Sequence, residues 1–182
     1  MASIFWRRLD APGHDACRLE ERDAAWVLEG TAVFRENAEP AALEYSVVCD
    51  LAWRTRYGQV RGWIGDRPVT LRIEHAEKGV WTVNGAPVRL PAACVDLDLG
   101  FTPATNLTQL RRLDLAPGQA ADVDVAWWDL GAGTLEVLSQ RYERRTAHTY
   151  WYESRRFDYR ALLEVTPEGF VRRYPGLWEV DP

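Results

Sequence analysis

Glu44-Tyr45-Ser46-Val47-Val48-Cys49-Asp50-Leu51-Ala52-Trp53-Arg54 is the run on which the fold class turns. Its odd positions, Tyr45, Val47, Cys49, Leu51 and Trp53, are apolar, and its even positions are mainly polar. That alternation predicts a strand over Glu44–Arg54 with one face turned to a core. The apolar stripe covers about 30 Å at roughly 3.3 Å per residue. A strand so long in a small domain predicts strong curvature or coiling of its sheet.

The same period extends in both directions. Between Trp26 and Arg35, the side chains of Trp26, Leu28, Gly30, Ala32 and Phe34 share a face, with Gly30 placed for a bend or bulge. Downstream, Val69, Leu71 and Ile73 alternate before a turn at Glu77-Lys78-Gly79. Val80–Val83 is the next strand, Asn84-Gly85 the strongest short hairpin signal, and Pro87–Leu90 the return. In the second half Val123, Val125 and Trp127 share a face, and Leu135–Arg144 pairs with Ala147–Glu153. Phe157–Thr166 reads as a strand rather than a helix because Pro167-Glu168-Gly169 turns the chain into a last strand, Phe170–Tyr174. One segment breaks the period. Leu107, Leu110 and Leu113 recur every third residue, which predicts one short helix near residues 105–112 capped by Thr105 or Asn106. The fold class is therefore all-β: a curved antiparallel sheet forming a half-open barrel or spiral roll. No linker divides the 182 residues, so 1–182 is a single domain.

Composition narrows the function classes. The net charge of −5 argues against a nucleic-acid partner, since phosphate binding needs a clustered positive field. Lys78 is the only Lys, and the basic residues are otherwise Arg, five times as doublets from Arg7-Arg8 to Arg172-Arg173. Cys17, Cys49 and Cys94 are an odd count with no metal spacing, which predicts reduced, buried thiols. The first residues carry no apolar leader and no run has the length of a membrane helix, so the expectation is a cytoplasmic protein without a membrane-spanning segment. Nine Trp and seven Tyr supply large amphipathic rings suited to strands and to ligand grooves.

Catalytic motifs are absent: there is no P-loop, dinucleotide fingerprint or nucleophile elbow. His14, His75 and His148 sit in no metal or triad pattern, and no cofactor is expected. Asp96 and Asp98 share a strand face, as do Asp122 and Asp124, but glycoside hydrolysis needs two opposed carboxylates. Asp98 with Glu153 from another strand is the one such pairing to weigh. More informative is Leu97-Asp98-Leu99-Gly100-Phe101-Thr102-Pro103-Ala104-Thr105-Asn106. Its hydroxyls, amide and acid offer hydrogen bonds to a sugar, with Phe101 as an apolar contact. The C-terminal Tyr174-Pro175-Gly176-Leu177-Trp178-Glu179 puts a late aromatic where it would close a barrel end or plug a groove.

These stretches resemble the putative glycolipid-binding family of bacterial proteins. The resemblance is carried in order by Cys49-Asp50 with Trp53-Arg54-Thr55-Arg56, by Trp81-Thr82-Val83-Asn84-Gly85, and by the Asp96–Asn106 run. Tyr150-Trp151-Tyr152-Glu153-Ser154 and Tyr174–Glu179 complete it, so nearly the whole chain is covered. The resemblance implies a spiral, half-open β-roll shaped like bacterial lipoprotein carriers, which shield acyl chains. One departure is Leu107-Thr108-Gln109-Leu110, where the family pattern has a sequence closer to Thr-Leu-Pro-Ile; this would lengthen the helix.

The expected function is non-catalytic binding of an amphipathic small molecule or glycolipid on the concave face, in an oligomeric state left open. Acyl chains would lie against Trp53, Trp63 and Trp81, and a polar head would meet Arg56, Asp98, Thr102, Asn106 and Arg111. Phe101, Tyr150, Tyr152, Glu153 and Trp178 complete the candidate set. The alternatives are a protein-interaction domain and a sugar-processing enzyme using Asp98 and Glu153.

Overall fold

The computed structural model describes residues 1–76 and 79–181, so Glu77 and Lys78 of the expected Glu77-Lys78-Gly79 turn lie outside the described residues. The first half is a meander: β1 (Ala2–Arg8), β2 (Gly13–Arg22), β3 (Ala25–Glu36), β4 (Glu39–Cys49), β5 (Thr55–Ile64), β6 (Arg67–Ala76), β7 (Val80–Val83) and β8 (Ala86–Val88). The second half begins with β9 (Leu97–Leu99) and the helix α1 (Asn106–Leu113). It continues through β10 (Ala120–Asp129), β11 (Thr134–Thr146), β12 (Thr149–Ser154), β13 (Tyr159–Val165), β14 (Val171–Tyr174) and β15 (Trp178–Val180).

The two meanders fuse because β1 pairs with β15, with Trp6 opposite Val180 and Arg8 opposite Trp178. The result is one 15-stranded sheet running from β8 through β1 and β15 to β9. Its pairs are antiparallel except β9 with β10, which are parallel, a correction to the all-antiparallel expectation. The sheet curls until its β9 end meets the start of β5. There Thr55 N donates to Val95 O at 3.0 Å, and Leu97 N donates to Thr55 Oγ1 at 2.9 Å. It does not close into a barrel, since β8 and β9 remain its edges.

Alternation fills the interior of the curl. On β4 the inward positions Ala41, Leu43, Tyr45, Val47 and Cys49 are all buried, alongside Leu28, Ala32 and Phe34 of β3. Gly30 is not a bulge: it pairs regularly with Cys17 on one side and Tyr45 on the other. Its lack of a side chain lets the Tyr45 ring lie flat over it, since a Cβ there would come within 2.3 Å of that ring. At Gly62, with φ of +147°, a Cβ would lie 2.0 Å from Ala42 O, so only glycine lets β4 and β5 approach there.

The structure moves several of the expected element boundaries and changes the expected helix cap. The strand expected over Glu44–Arg54 starts at Glu39 and stops at Cys49. Asp50 ends it by turning the chain: its carboxylate accepts from Arg54 N at 2.9 Å, and its own N–H donates to Arg54 O at 2.8 Å. Leu51 is consequently exposed, and Trp53 sits in the left-handed region with φ of 65°. The strand expected from Phe157 begins at Tyr159, because a single 3-10 turn over Arg155–Phe157 comes first. The return strand expected over Pro87–Leu90 occupies Ala86–Val88. Finally, α1 forms where the leucine spacing placed it, but Thr105 does not cap it through its side chain. The Thr105 hydroxyl instead donates to Asp98 Oδ1 at 3.0 Å and accepts from Leu99 N at 3.2 Å.

Candidate functional site

The loop between β9 and α1 is pinned from both sides, and that is what shapes the site. Phe101 packs inward between Phe34, stacked at 6.0 Å, and Tyr45, edge-on at 5.8 Å. Thr102 donates its hydroxyl to Asp15, a carboxylate fully buried in β2 that also accepts from the Tyr45 hydroxyl at 3.0 Å. No cation meets Asp15 among the described residues, and burial pushes its carboxyl up to about 7, against the pull of the Thr102 and Tyr45 hydrogen bonds. On the other side, Asp98 accepts from Thr105 and, at 2.7 Å, from Gln140 Nε2. Burial raises the Asp98 carboxyl and these donors only partly offset it. Asn106 Nδ2 donates to the Tyr142 hydroxyl at 2.8 Å, which donates in turn to Gln109 Oε1 at 2.6 Å.

Beside this polar floor lies a cavity of about 370 Å³ between the loop, the C-terminal strands and the end of β1. That is within the roughly 300–1,000 Å³ usual for small-molecule sites, near its lower end. Its walls are Trp127, Phe157, Tyr159, Tyr174 and Trp178, with Leu138 beneath, and its floor includes Asp98, Asn106 and Tyr152. The lining is predominantly apolar with a few convergent polar groups. Arg8 stands at the mouth, with its guanidinium 5.4 Å from the Phe34 ring centre and 5.7 Å from Trp178. It holds Asp10 through Nε and Nη2, at 2.7 and 2.9 Å. Its remaining Nη1 is buried and has no hydrogen-bond partner among the described residues. Ser154 Oγ, near the Tyr152 hydroxyl but not at hydrogen-bonding geometry, is a second such atom on the same cavity wall. Buried polar atoms are normally paired, so these two are available to hydrogen-bond a polar group of a ligand held in the cavity.

Of the thirteen residues singled out from the sequence, this cavity gathers Asp98, Thr102, Asn106, Tyr152 and Trp178. Trp53, Arg111 and Tyr150 meet instead in a separate cleft of about 310 Å³. There Trp53 stacks on Trp26 at 4.5 Å and Arg111 lies 5.4 Å over the Trp53 ring. The remaining five lie elsewhere. Trp81 is fully buried core, donating from its indole to Cys94 O at 2.8 Å. Phe101 is core as well, not an exposed sugar contact. Trp63 points outward and is 45% exposed, because the inward pleat of β5 belongs to Gly58, Val60 and Ile64. Arg56 is exposed, at the register shift between β4 and β5 where it has no strand partner.

Glu153 alternates away from Tyr152 and accepts from Trp151 Nε1 at 2.8 Å, so it does not face Asp98. The paired-carboxylate arrangement weighed from the sequence is therefore not formed. Nor do Trp53, Trp63 and Trp81 wall one groove, because side chains fill the concave face of β3–β7. The open space lies at the opposite end of the sheet.

Arg8, Trp127, Phe157, Tyr159 and Tyr174 were not singled out from the sequence as site residues. Period two shows that Trp127 and Tyr174 face inward, but only the pairing of β1 with β15 brings Arg8 beside Trp178. The three cysteines are free and buried, and burial raises every thiol, Cys94 to about 11 and Cys49 to about 12. A thiol reagent should accordingly react slowly with native protein and count three groups after denaturation; fast native labelling would contradict the packing. Among the described residues no cluster of side chains could hold a metal ion, and no helix is long and apolar enough to cross a membrane.

A family model described as "Putative glycolipid-binding" matches residues 3–180. A crystal structure of a DUF1089 family protein from Pseudomonas aeruginosa is similar at a TM-score of 0.76 and 26% identity, covering 91% of each chain. No curated protein matches the chain.

Proposed function

The chain belongs to the family described as putative glycolipid-binding, and from that premise we propose that it binds an amphipathic small molecule, of the glycolipid class, in the aromatic cavity beside the Gly100–Asn106 loop. The observation that carries this reading is an apolar cavity holding two orphaned polar atoms, Arg8 Nη1 and Ser154 Oγ. An alkyl tail would lie against Trp127, Phe157 and Trp178. A hydroxylated or charged head at the mouth would accept from Arg8 Nη1 and bridge to Asp10. The separation of Asp98 from Glu153 supports binding without catalysis. The three buried free thiols suit a reducing compartment, in keeping with the cytoplasmic expectation.

Alkyl glucosides of increasing chain length test the reading by calorimetric titration. Affinity should rise about fourfold per methylene, from ~0.8 kcal/mol per buried CH₂, until the cavity is full. Arg8→Met should weaken every member of the series about tenfold, the value of a hydrogen bond to a charged donor. Leu177→Trp, which fills the mouth, should abolish the chain-length dependence. A series with no chain-length dependence in the wild type would favour the protein-interaction reading instead.

A further inference from the structure

The outer face of β1–β5 carries a groove of about 810 Å³, on the opposite side of the sheet from the core and separate from the aromatic cavity. Its floor is where Cys17, Gly30 and Tyr45 turn their side chains inward. Two cross-strand rows flank it. Ser3, Arg18, Glu29, Ser46 and Gln59 are in register, and so are Phe5, Ala16, Thr31, Glu44 and Arg61. Ser3, Ala16, Thr31 and Ser46 are small, which is why a depression exists at all.

Facing charges pair at several places on this sheet, as do Arg18 with Glu29 at 2.6 Å within the groove itself and Arg141 with Asp122 at 3.0 Å beyond it. Within the groove, Glu44 and Arg61 stand directly opposite each other, yet neither forms an ion pair or a side-chain hydrogen bond among the described residues. Ser3, Thr31, Ser46 and Gln59 make none either. Six polar side chains, three in each row, thus present unengaged hydroxyl, amide, carboxylate and guanidinium groups along the groove. The next row outward is apolar: Val33, Ala42, Trp63 and Pro68 are in register, with Val33 56% and Trp63 45% exposed.

We propose that this face binds an uncharged oligosaccharide chain, with a sugar ring on Trp63 and its hydroxyls on Glu44, Arg61, Gln59 and Thr31. The groove's two arginines and two glutamates cancel, which disfavours phosphate, nucleic acid or a polycation and suits a ligand that both donates and accepts. From β1 to β5 it crosses four strand spacings, about 19 Å at ~4.8 Å each, room for several sugar units. Aromatic rings beside bidentate polar groups offer such a ligand an apolar face and directional contacts together. The proposal does not rest on the aromatic cavity.

Maltotetraose, cellotetraose and chitotetraose, titrated calorimetrically against the full chain, test it. At least one should bind, with Trp63→Ala weakening it about tenfold through lost apolar contact. Arg61→Gln should weaken it several-fold, and Arg8→Met should leave it unchanged. Both groove positions are exposed, so an unaltered melting temperature is expected for each variant. No binding at millimolar concentration, or binding indifferent to Trp63→Ala, would overturn the proposal. So would a concentration-dependent dimer that Trp63→Ala dissociates without saccharide binding, since the face would then seat a second copy. Phosphatidylcholine vesicles bearing digalactosyl diacylglycerol separate a free chain from a lipid headgroup. Flotation lost in Trp63→Ala, with no free tetrasaccharide bound, would also overturn it.

Discussion

The Arg112→Met protein is expected to be about 3–5 kcal/mol less stable than the wild type at neutral pH, the usual cost of stripping one partner from a buried ion pair. Asp96 is fully buried, and the Arg112 fork from α1 is its cation: Nε and Nη2 donate to its two oxygens at 2.7–3.0 Å. Burial pushes the Asp96 carboxyl up, and Arg112 offsets part of that. Without Arg112, Asp96 must take up a proton to stay inside. Its folded pKa then stands further above the unfolded one, so the variant should lose stability as pH rises between the two. Urea titration at pH 5 and pH 8 should show a deficit that widens at the higher pH. Adding Asp96→Asn to Arg112→Met should recover much of the loss, because the charge itself is gone. A deficit that is small and independent of pH would mean that the bridge holds nothing in place.

The second large effect concerns Asp15. Its carboxyl is pushed up to about 7 by burial, against an ordinary value near 3.8. The folded state therefore keeps a proton that the unfolded chain surrenders above about pH 4. Stability should be greatest at and below that pH and fall as pH rises towards 7. About three units at ~1.36 kcal/mol each give a loss on the order of 4 kcal/mol. Asp98, raised by burial as well, should add to the slope. Asp15→Asn removes one titrating group while keeping an acceptor for Thr102 and Tyr45. The variant should match the wild type near pH 4 and exceed it at pH 8, with a shallower dependence of the urea midpoint on pH. If the wild-type midpoint is flat from pH 4 to 8, Asp15 is solvated in a way this geometry does not allow. Because Thr102 ties Asp15 to the loop that lines the cavity, amphiphile affinity measured over the same range reports on the same contact.

Neither effect could be anticipated from the chain alone, and the reason is sequence distance. Asp15 meets Thr102 across 87 positions and Tyr45 across 30, and nothing in either neighbourhood marks the encounter. Asp15 itself sits in a strand whose alternation, Asp15, Cys17, Leu19, places a carboxylate on the apolar face. That local conflict was the available signal. Asp96 and Asp98 were visible as a pair, but Arg112 and Gln140 as their partners depend on how α1 and β11 pack.

What the sequence determined by itself is the set of facts that local pleating controls. Period two in β3, β4, β6 and β10 assigns strands and their inward faces, and Asn84-Gly85, with both residues at positive φ, turns β7 into β8. The leucine spacing likewise locates α1 as the one α-helix of the described residues. Local pattern did not say where a polar side chain would override alternation, so Asp50 stopped β4 at Cys49. It did not mark which pleat of the glycine-containing β5 faces inward, and Trp63 emerged on the outer side. Tertiary structure alone decided the site. The cavity exists because β1 pairs with β15 and the sheet curls back on β5, bringing Arg8, Asp98, Tyr152 and Trp178 together. Those contacts are set by sheet curvature and long-range pairing, to which a periodicity of two residues is blind.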